Sequence, residues 1–227
     1  MRPLIIMNGE KIDWFHTVIR MLMYLAGVAV LALGMSLQTA SGLGVAALTC
    51  FATTLSMLTG KTLGFWITAT YVAYIVAQFT ILRREFQPRI LLELCFPTLI
   101  GGAFTDFFMA VNPLHPAALP IQVETMLLSL AVTAFGVSLV VNMGVVPNAP
   151  DGLVQVIAEK IKRRFGDVKV VFDCSHVAMS LVLSLALMHN LGGFGVTTAI
   201  SALFLGHVIN IANKLFAQRF VRAAFGK

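Results

Sequence analysis

The segment Gly136-Val137-Ser138-Leu139-Val140-Val141-Asn142-Met143-Gly144-Val145-Val146-Pro147-Asn148-Ala149-Pro150 closes a long apolar run and then breaks it. Gly144 costs helix propensity, and Pro147 and Pro150 push the residues before them out of the helical region. A few of these positions repeat 102 residues earlier: Gly34-Met35-Ser36-Leu37 leads to Gly42, Ala47 and Gly64, matching Gly136-Val137-Ser138-Leu139, Gly144, Ala149 and Gly166 without a gap. Outward from both breaks the hydropathy order also repeats: span, break, short segment, span, span.

Composition sets the solvent. The chain has 227 residues, 58% hydrophobic and 11% charged, with a mean hydropathy of +0.88. A soluble domain carries about 25% charged residues, so a water-covered surface is excluded, and so is disorder. A helix needs about 20 mostly apolar residues to cross a bilayer. Residues 17–39, 62–82, 90–111, 121–142, 168–189 and 196–215 meet that requirement. Residues 45–59 and 151–165 form two shorter helical candidates. The expected fold is therefore all-α. It is a polytopic membrane protein with six transmembrane helices and two short re-entrant or interfacial helices, in a single domain over 1–227.

Basic residues decide whether the short segments cross. With six spans and both termini cytoplasmic, fifteen of the sixteen lysines and arginines lie inside and only Lys61 lies outside. If both short segments crossed, Arg83, Arg84 and Arg89 would move outside, against the positive-inside rule. Each half, about 17–111 and about 121–215, then holds three crossings, an odd number, so the second half is inverted relative to the first. Inverted repeats with short helices at matching positions characterise transporters. Residues 151–165 have a second reading. Leu153, Val156, Ile157, Ile161 and Phe165 make an apolar stripe that suits a helix lying on the cytoplasmic surface.

The chain resembles the YczE/YyaS/YitT group of bacterial integral membrane proteins. The features that carry the likeness are Gly34-Met-Ser-Leu, Ser41-Gly-Leu-Gly-Val45 and Leu58-Thr-Gly-Lys-Thr-Leu-Gly64 in the first half. In the second they are Gly136-Val-Ser-Leu, Asn142-Met-Gly144, Pro150-Asp-Gly-Leu153, Phe165-Gly-Asp-Val-Lys-Val-Val-Phe-Asp173 and Leu205-Gly206. Members of that group often have Asp after the first glycine break, where this chain has Thr49; the second-half counterpart, Asp151, is present. The resemblance implies the fold and a multi-pass location in the bacterial inner membrane, without a defined activity.

Ionisable groups inside lipid are costly and need a reason. Lys169, Asp173, His176 and Ser180 fall at i, i+4, i+7 and i+11, on one helical face. Together they read as a substrate or proton site, or as a Lys169–Asp173 ion pair beside a histidine that hydrogen-bonds between helices. Asp151 reads as a cation ligand beside Asn142 and Asn148, or as a helix cap. Gln38 and Thr39 precede the first break and could line the same cavity. Thr49, Thr53 and Ser56 form a hydroxyl stripe of the kind that joins helices, with Thr49 also a candidate ligand. Gly42, Gly44, Gly144 and Pro147 are the hinge positions, whose interrupted helices expose backbone groups. Asp106 sits near the outer end of its span, and Glu93 is one turn from Arg89. Cys50, Cys95 and Cys174 lie in apolar segments and read as packing residues.

No cleavable signal peptide, GxxxxGK loop, zinc spacing or G-x-S-x-G elbow is evident, so neither a cofactor nor an enzyme is expected, and nucleic acid is not an expected partner. The expected function is transport of a small polar or ionic solute, coupled to an ion gradient and bound near the midplane between the repeats. The rival readings are a substrate-capture subunit of a larger importer and an accessory or scaffold membrane protein. The expected partners are the lipid bilayer and the solute, with a homodimer left open.

Overall fold

The computed structural model describes residues 7–8, 11–83, 88–91, 94–189 and 192–225. A small antiparallel pairing of Met7–Asn8 with Lys11–Ile12 precedes the helices. Among the described residues the α-helices are α1 (Trp14–Ser41), α2 (Ala47–Thr59), α3 (Leu63–Leu82), α4 (Gly101–Val111), α5 (Leu119–Met143), α6 (Ala149–Ile161), α7 (Phe165–Leu183) and α8 (Val196–Phe225).

Helix α1 begins at an Asp13 cap. The His16 backbone N–H donates to Asp13 Oδ1, and this bond, aided by the His16 ring, holds the carboxyl below its ordinary range. Tyr24, Val28, Leu31 and Ala32 recur at helical spacing and form its buried side, together with Gly27 and Gly34. The helix stops at Gly42 in the left-handed conformation, and α5 stops in the same way at Gly144.

Helices α1 and α5 form the centre of the molecule. A Cβ on Gly27 would lie 2.9 Å from Val140 Cγ2, and one on Gly34 would lie 2.3 Å from Thr133 Oγ1. A Cβ on Gly136 would lie 2.8 Å from the Leu31 backbone nitrogen. Position numbers rise along one helix as they fall along the other, so the two run antiparallel. Small residues let their backbones approach closely, as at helix interfaces in membranes. Around this pair, α4 packs on α1 and α8 packs on α5, while α2 packs on α7 and α3 on α6. One core cluster joins Tyr24, Val28, Leu139, Val140 and Met143; a second joins Leu63, Ile67, Tyr71, Ile75 and Ala149.

Among the described residues, four helices are long and apolar enough to cross a membrane: α1, α3, α5 and Gly166–Met188, which is α7 with its π-helical continuation. Helix α8, bent by 56° between Val196–Ala202 and Phe204–Ala224, makes a fifth if the two parts form one span. Large apolar side chains such as Val171 and Val182 stand about two-thirds exposed on the outside, 70% and 67%. That surface suits lipid and not water, and it marks the chain as a membrane protein.

The expected span at 90–111 has a different local structure. Pro88–Leu91 is a 3-10 turn, Leu94–Ile100 is π-helical, and regular helix begins only at Gly101. Pro97 lies within the π-helical part and has no N–H to give to an α-helical ladder. The regular apolar portion, Pro97–Val111, is therefore short. The Arg89–Glu93 pairing and the Cys95 side chain lie outside the described residues. Helix α6 starts two residues earlier than the expected 151 and ends four earlier than 165. Pro150 fits its first turn, and Lys162, in the left-handed conformation, ends it. Its buried side includes Leu153, Val154 and Ala158, while Val156 and Ile157 are half-buried and Ile161 is 55% exposed, so the apolar stripe is rotated from the one expected.

Candidate functional site

The polar groups of α6 and α7 converge on Lys169. Its ammonium lies 3.1 Å from Asp151 Oδ1 in the first turn of α6 and 3.1 Å from Asp173 Oδ1 one turn further along α7. One lysine against two carboxylates leaves a formal surplus of one negative charge. These three side chains are about a quarter to a third exposed, so this end of the cluster opens outward.

The other end is closed. His176 is 3% exposed, and its Nδ1 donates to the Phe172 carbonyl at 2.7 Å, the usual way for a helical histidine to fix one ring nitrogen. Its Nε2 then accepts the hydrogen bond of the Tyr74 hydroxyl from α3. Phe51 and Phe172 complete the aromatic walls around the imidazole, with ring centroids 6.3 Å and 4.4 Å away. Tyr71 stacks obliquely on Tyr74 at 6.0 Å and, together with Asn148 and Thr105, lines a cavity of about 20 Å³. That is room for about one water molecule. Lys169, Asp173 and His176 follow one another along one side of α7, from a partly exposed end to a buried one, while the hydroxyl of Ser180, one turn further, bonds to α2. The arrangement can hold a cation or relay a proton: carboxylates at the mouth, a histidine–tyrosine pair within. Among the described residues, no three His, Cys, Asp or Glu side chains are grouped to hold a metal.

The remaining sequence-selected residues sit elsewhere. The Ser180 hydroxyl is completely buried and bonds to Thr54 Oγ1 at 2.7 Å and to Cys50 Sγ at 3.0 Å, joining α7 to α2. Asn142 donates to Asn213 Oδ1 at 2.8 Å and to the Ser138 carbonyl, which ties α5 to α8. Gln38 accepts from the Ala46 N–H at 3.0 Å and so satisfies the start of α2, while its Nε2 donates to Thr133. Thr39 and Thr49 donate to the Met35 and Ala46 carbonyls of their own segments. Thr53 and Ser56 likewise bond locally, to the Thr49 and Lys61 carbonyls, and Thr54 is the hydroxyl that bridges helices. Asp106 accepts from Thr62 Oγ1 and from the Gly64 N–H, holding the start of α3.

The backbone groups freed at the hinges are taken by the protein itself. At Gly42 and Gly44, the Val45 N–H donates to the Gly193 carbonyl and the Thr197 N–H to the Leu43 carbonyl. A Cβ on Gly44 would lie 2.6 Å from the Gly195 nitrogen, so only glycine fits this backbone crossing. At Gly144 and Pro147, Arg20 donates to the Met143 carbonyl at 2.7 Å and the Gly144 carbonyl at 2.8 Å, and Tyr24 donates to the Val146 carbonyl. Gln78 reaches the Ala149 carbonyl at 3.2 Å.

Tyr74, Tyr71, Gln78 and Arg20 were not singled out in the sequence. The signal that could have found the first three is the 102-residue offset, which pairs Tyr74 with His176, Tyr71 with Asp173 and Gln78 with Ser180.

With this geometry in place, the chain is assigned by comparison. It belongs to the family of unknown function DUF6198, whose model matches residues 18–214. No curated protein and no solved structure matches it.

Proposed function

We propose that the chain is an ion-gradient-coupled membrane transporter of a small polar or ionic solute, bound at the Lys169–His176 cluster. It has six crossings and two short re-entrant helices, arranged as an inverted repeat in the manner of the YczE/YyaS/YitT group. The multi-pass protein lies in the bacterial inner membrane with both termini cytoplasmic.

The observation that carries the reading is the Tyr74–His176 hydrogen bond, which joins two residues exactly one repeat apart. In a two-fold arrangement, equivalent positions touch only near the axis. The polar cluster then lies where the two halves meet, the usual place for a transported solute. Several features support the repeat. Helices α2 and α6, Ala47–Thr59 and Ala149–Ile161, are offset by 102 at both ends. The left-handed stops at Gly42 and Gly60 recur at Gly144 and Lys162, and the starts of α3 and α7 at Leu63 and Phe165. Packing is exchanged in the same way: α1 on α4 with α5 on α8, α2 on α7 with α6 on α3, α2 on α3 with α6 on α7. Gly34 abuts Thr133 as Gly136 abuts Leu31, a single contact seen from both halves.

On this reading the partly exposed carboxylates receive a cation or a proton. Rocking one repeat against the other parts Tyr74 from His176 and opens the buried end. Liposomes containing the protein and a trapped pH-sensitive dye test this against amino acids, small carboxylates and small amines. At least one of these should give a proton-linked signal that Asp173→Asn and His176→Ala reduce to that of empty liposomes. A signal unchanged in both variants, or none with any of the three classes, removes the reading.

A further inference from the structure

Helices α8 and α5 flank a groove of about 390 Å³ that shares no lining residue with the Lys169–His176 cluster and that no part of the transport reading uses. Its walls are almost wholly apolar: Val30 from α1, Ala134 and Phe135 from α5, and Val208, Ile211 and Phe216 from α8. Phe135, Phe216 and Phe220 meet at its end, with Phe135 5.4 Å from each of the other two rings. The α8 residues that line it, Val208, Ile211, Ala212 and Leu215, fall at i, i+3, i+4 and i+7. Continuing the same stripe gives Arg219 and Arg222, both exposed. From Leu215 to Arg222 is seven residues, about 10 Å along the helix. A smaller groove of about 260 Å³, lined by Gln218 and Arg222, lies at that end.

We propose that this face is a binding site for an anionic phospholipid, with an acyl chain in the Phe135–Ile211 groove and the phosphate between Arg219 and Arg222. An apolar slot and two cations one or two turns beyond it, on one helix face, match the two parts of such a lipid and their spacing. Basic residues at the membrane surface attract anionic headgroups. A second copy of the chain fits less well. A two-fold dimer in the membrane would put Arg219 and Arg222 of both copies against one another, because an isologous contact opposes each patch to itself. The proposal requires α8 to lie in the membrane and is independent of whether the protein transports anything.

Native mass spectrometry of the full chain tests it. The protein is released from mixed micelles containing equal amounts of phosphatidylglycerol and phosphatidylcholine. Wild type should retain phosphatidylglycerol with a preference of about thirtyfold, the factor two basic residues supply near an anionic surface. The double variant Arg219→Gln/Arg222→Gln should lose the preference, and Arg219→Lys/Arg222→Lys should keep most of it. Ala131→Phe, which fills the groove from an exposed position, should lower retention of both lipids. Each variant is first shown to elute and melt as wild type does; the lysine pair retains the test if the glutamine pair does not fold. No headgroup preference in wild type, equal preference in the glutamine variant, or retention untouched by Ala131→Phe overturns the proposal. So does a lipid-free dimer cross-linked through Ala131→Cys.

Discussion

Removing Arg20 would take a charged donor from two carbonyls at the end of α5. The guanidinium is 1% exposed and reaches the last residue of α5 and the glycine that stops it. These acceptors belong to the end of a helix, where carbonyls lack intrahelical partners and the dipole favours a cation. Arg20→Met keeps the volume and removes both bonds. It should lower stability by about 2–4 kcal/mol, the range for losing charged hydrogen bonds at buried acceptors. Arg20→Lys should recover only part of this, because an ammonium cannot span two acceptors in a planar fork. Thermal unfolding in mild detergent measures both; a Tm for Arg20→Met equal to wild type contradicts the capping role. The sequence places Arg20 among the basic residues that orient the chain, and nothing local distinguishes it from Lys11. Its burial depends on the end of a helix 123 residues away. Tyr74 was hidden for a related reason. A lone tyrosine in an apolar helix is ordinarily packing, and only its place 102 positions before His176, which its hydroxyl meets, gives it another meaning.

At the level of the helices, glycine has two opposite effects, and the structure separates them. Gly136 lies where α1 and α5 touch, and a Cβ there would stand 2.8 Å from the Leu31 nitrogen and 3.1 Å from the Gly27 carbonyl. Backbone cannot yield as a side chain does, so Gly136→Ala should force the helices apart at a cost of about 1–3 kcal/mol. Gly206 lies inside α8 with nothing within 4 Å of the place its Cβ would take. Here the added methyl only restricts the unfolded chain, and Gly206→Ala should gain about 0.5–1 kcal/mol. Unfolding by heat in one detergent should move the two Tm values in opposite directions. The same sign for both would mean the α1–α5 approach is looser than described. The helices α1 and α5 were legible, because more than 20 mostly apolar residues leave no other structure in lipid, whereas α8 runs ten residues past the expected end at 215. The region of 90–111 was less so. Its hydropathy matches a span, but Pro97 and the π-helical turns depend on the ladder of backbone bonds, which a hydropathy window does not register.

At the scale of the whole molecule, the question is how often the chain crosses the bilayer, and the loops at Lys61 and Arg163 answer it. Both are exposed and follow the ends of α2 and α6, the two 13-residue helices. Thirteen residues rise about 20 Å, less than the roughly 30 Å of hydrocarbon. If neither helix crosses, each returns the chain to the side on which its break began. The breaks themselves are separated by α3, α4 and α5, an odd number of passages when α4 and the turns before it make one. Lys61 and Arg163 then face opposite sides, Lys61 outside. If both short helices cross, the two loops face the same side. Lys61→Cys and Arg163→Cys are made in a chain whose Cys50, Cys95 and Cys174 are replaced by serine, and each is treated with an impermeant maleimide in sealed vesicles of known orientation. Labelling of Lys61→Cys from the outer face only, and of Arg163→Cys from the inner face only, is the expected result. Labelling of both from one face would remove the inverted repeat. The Tyr74–His176 contact would then be a helix-to-helix bond with no axis through it.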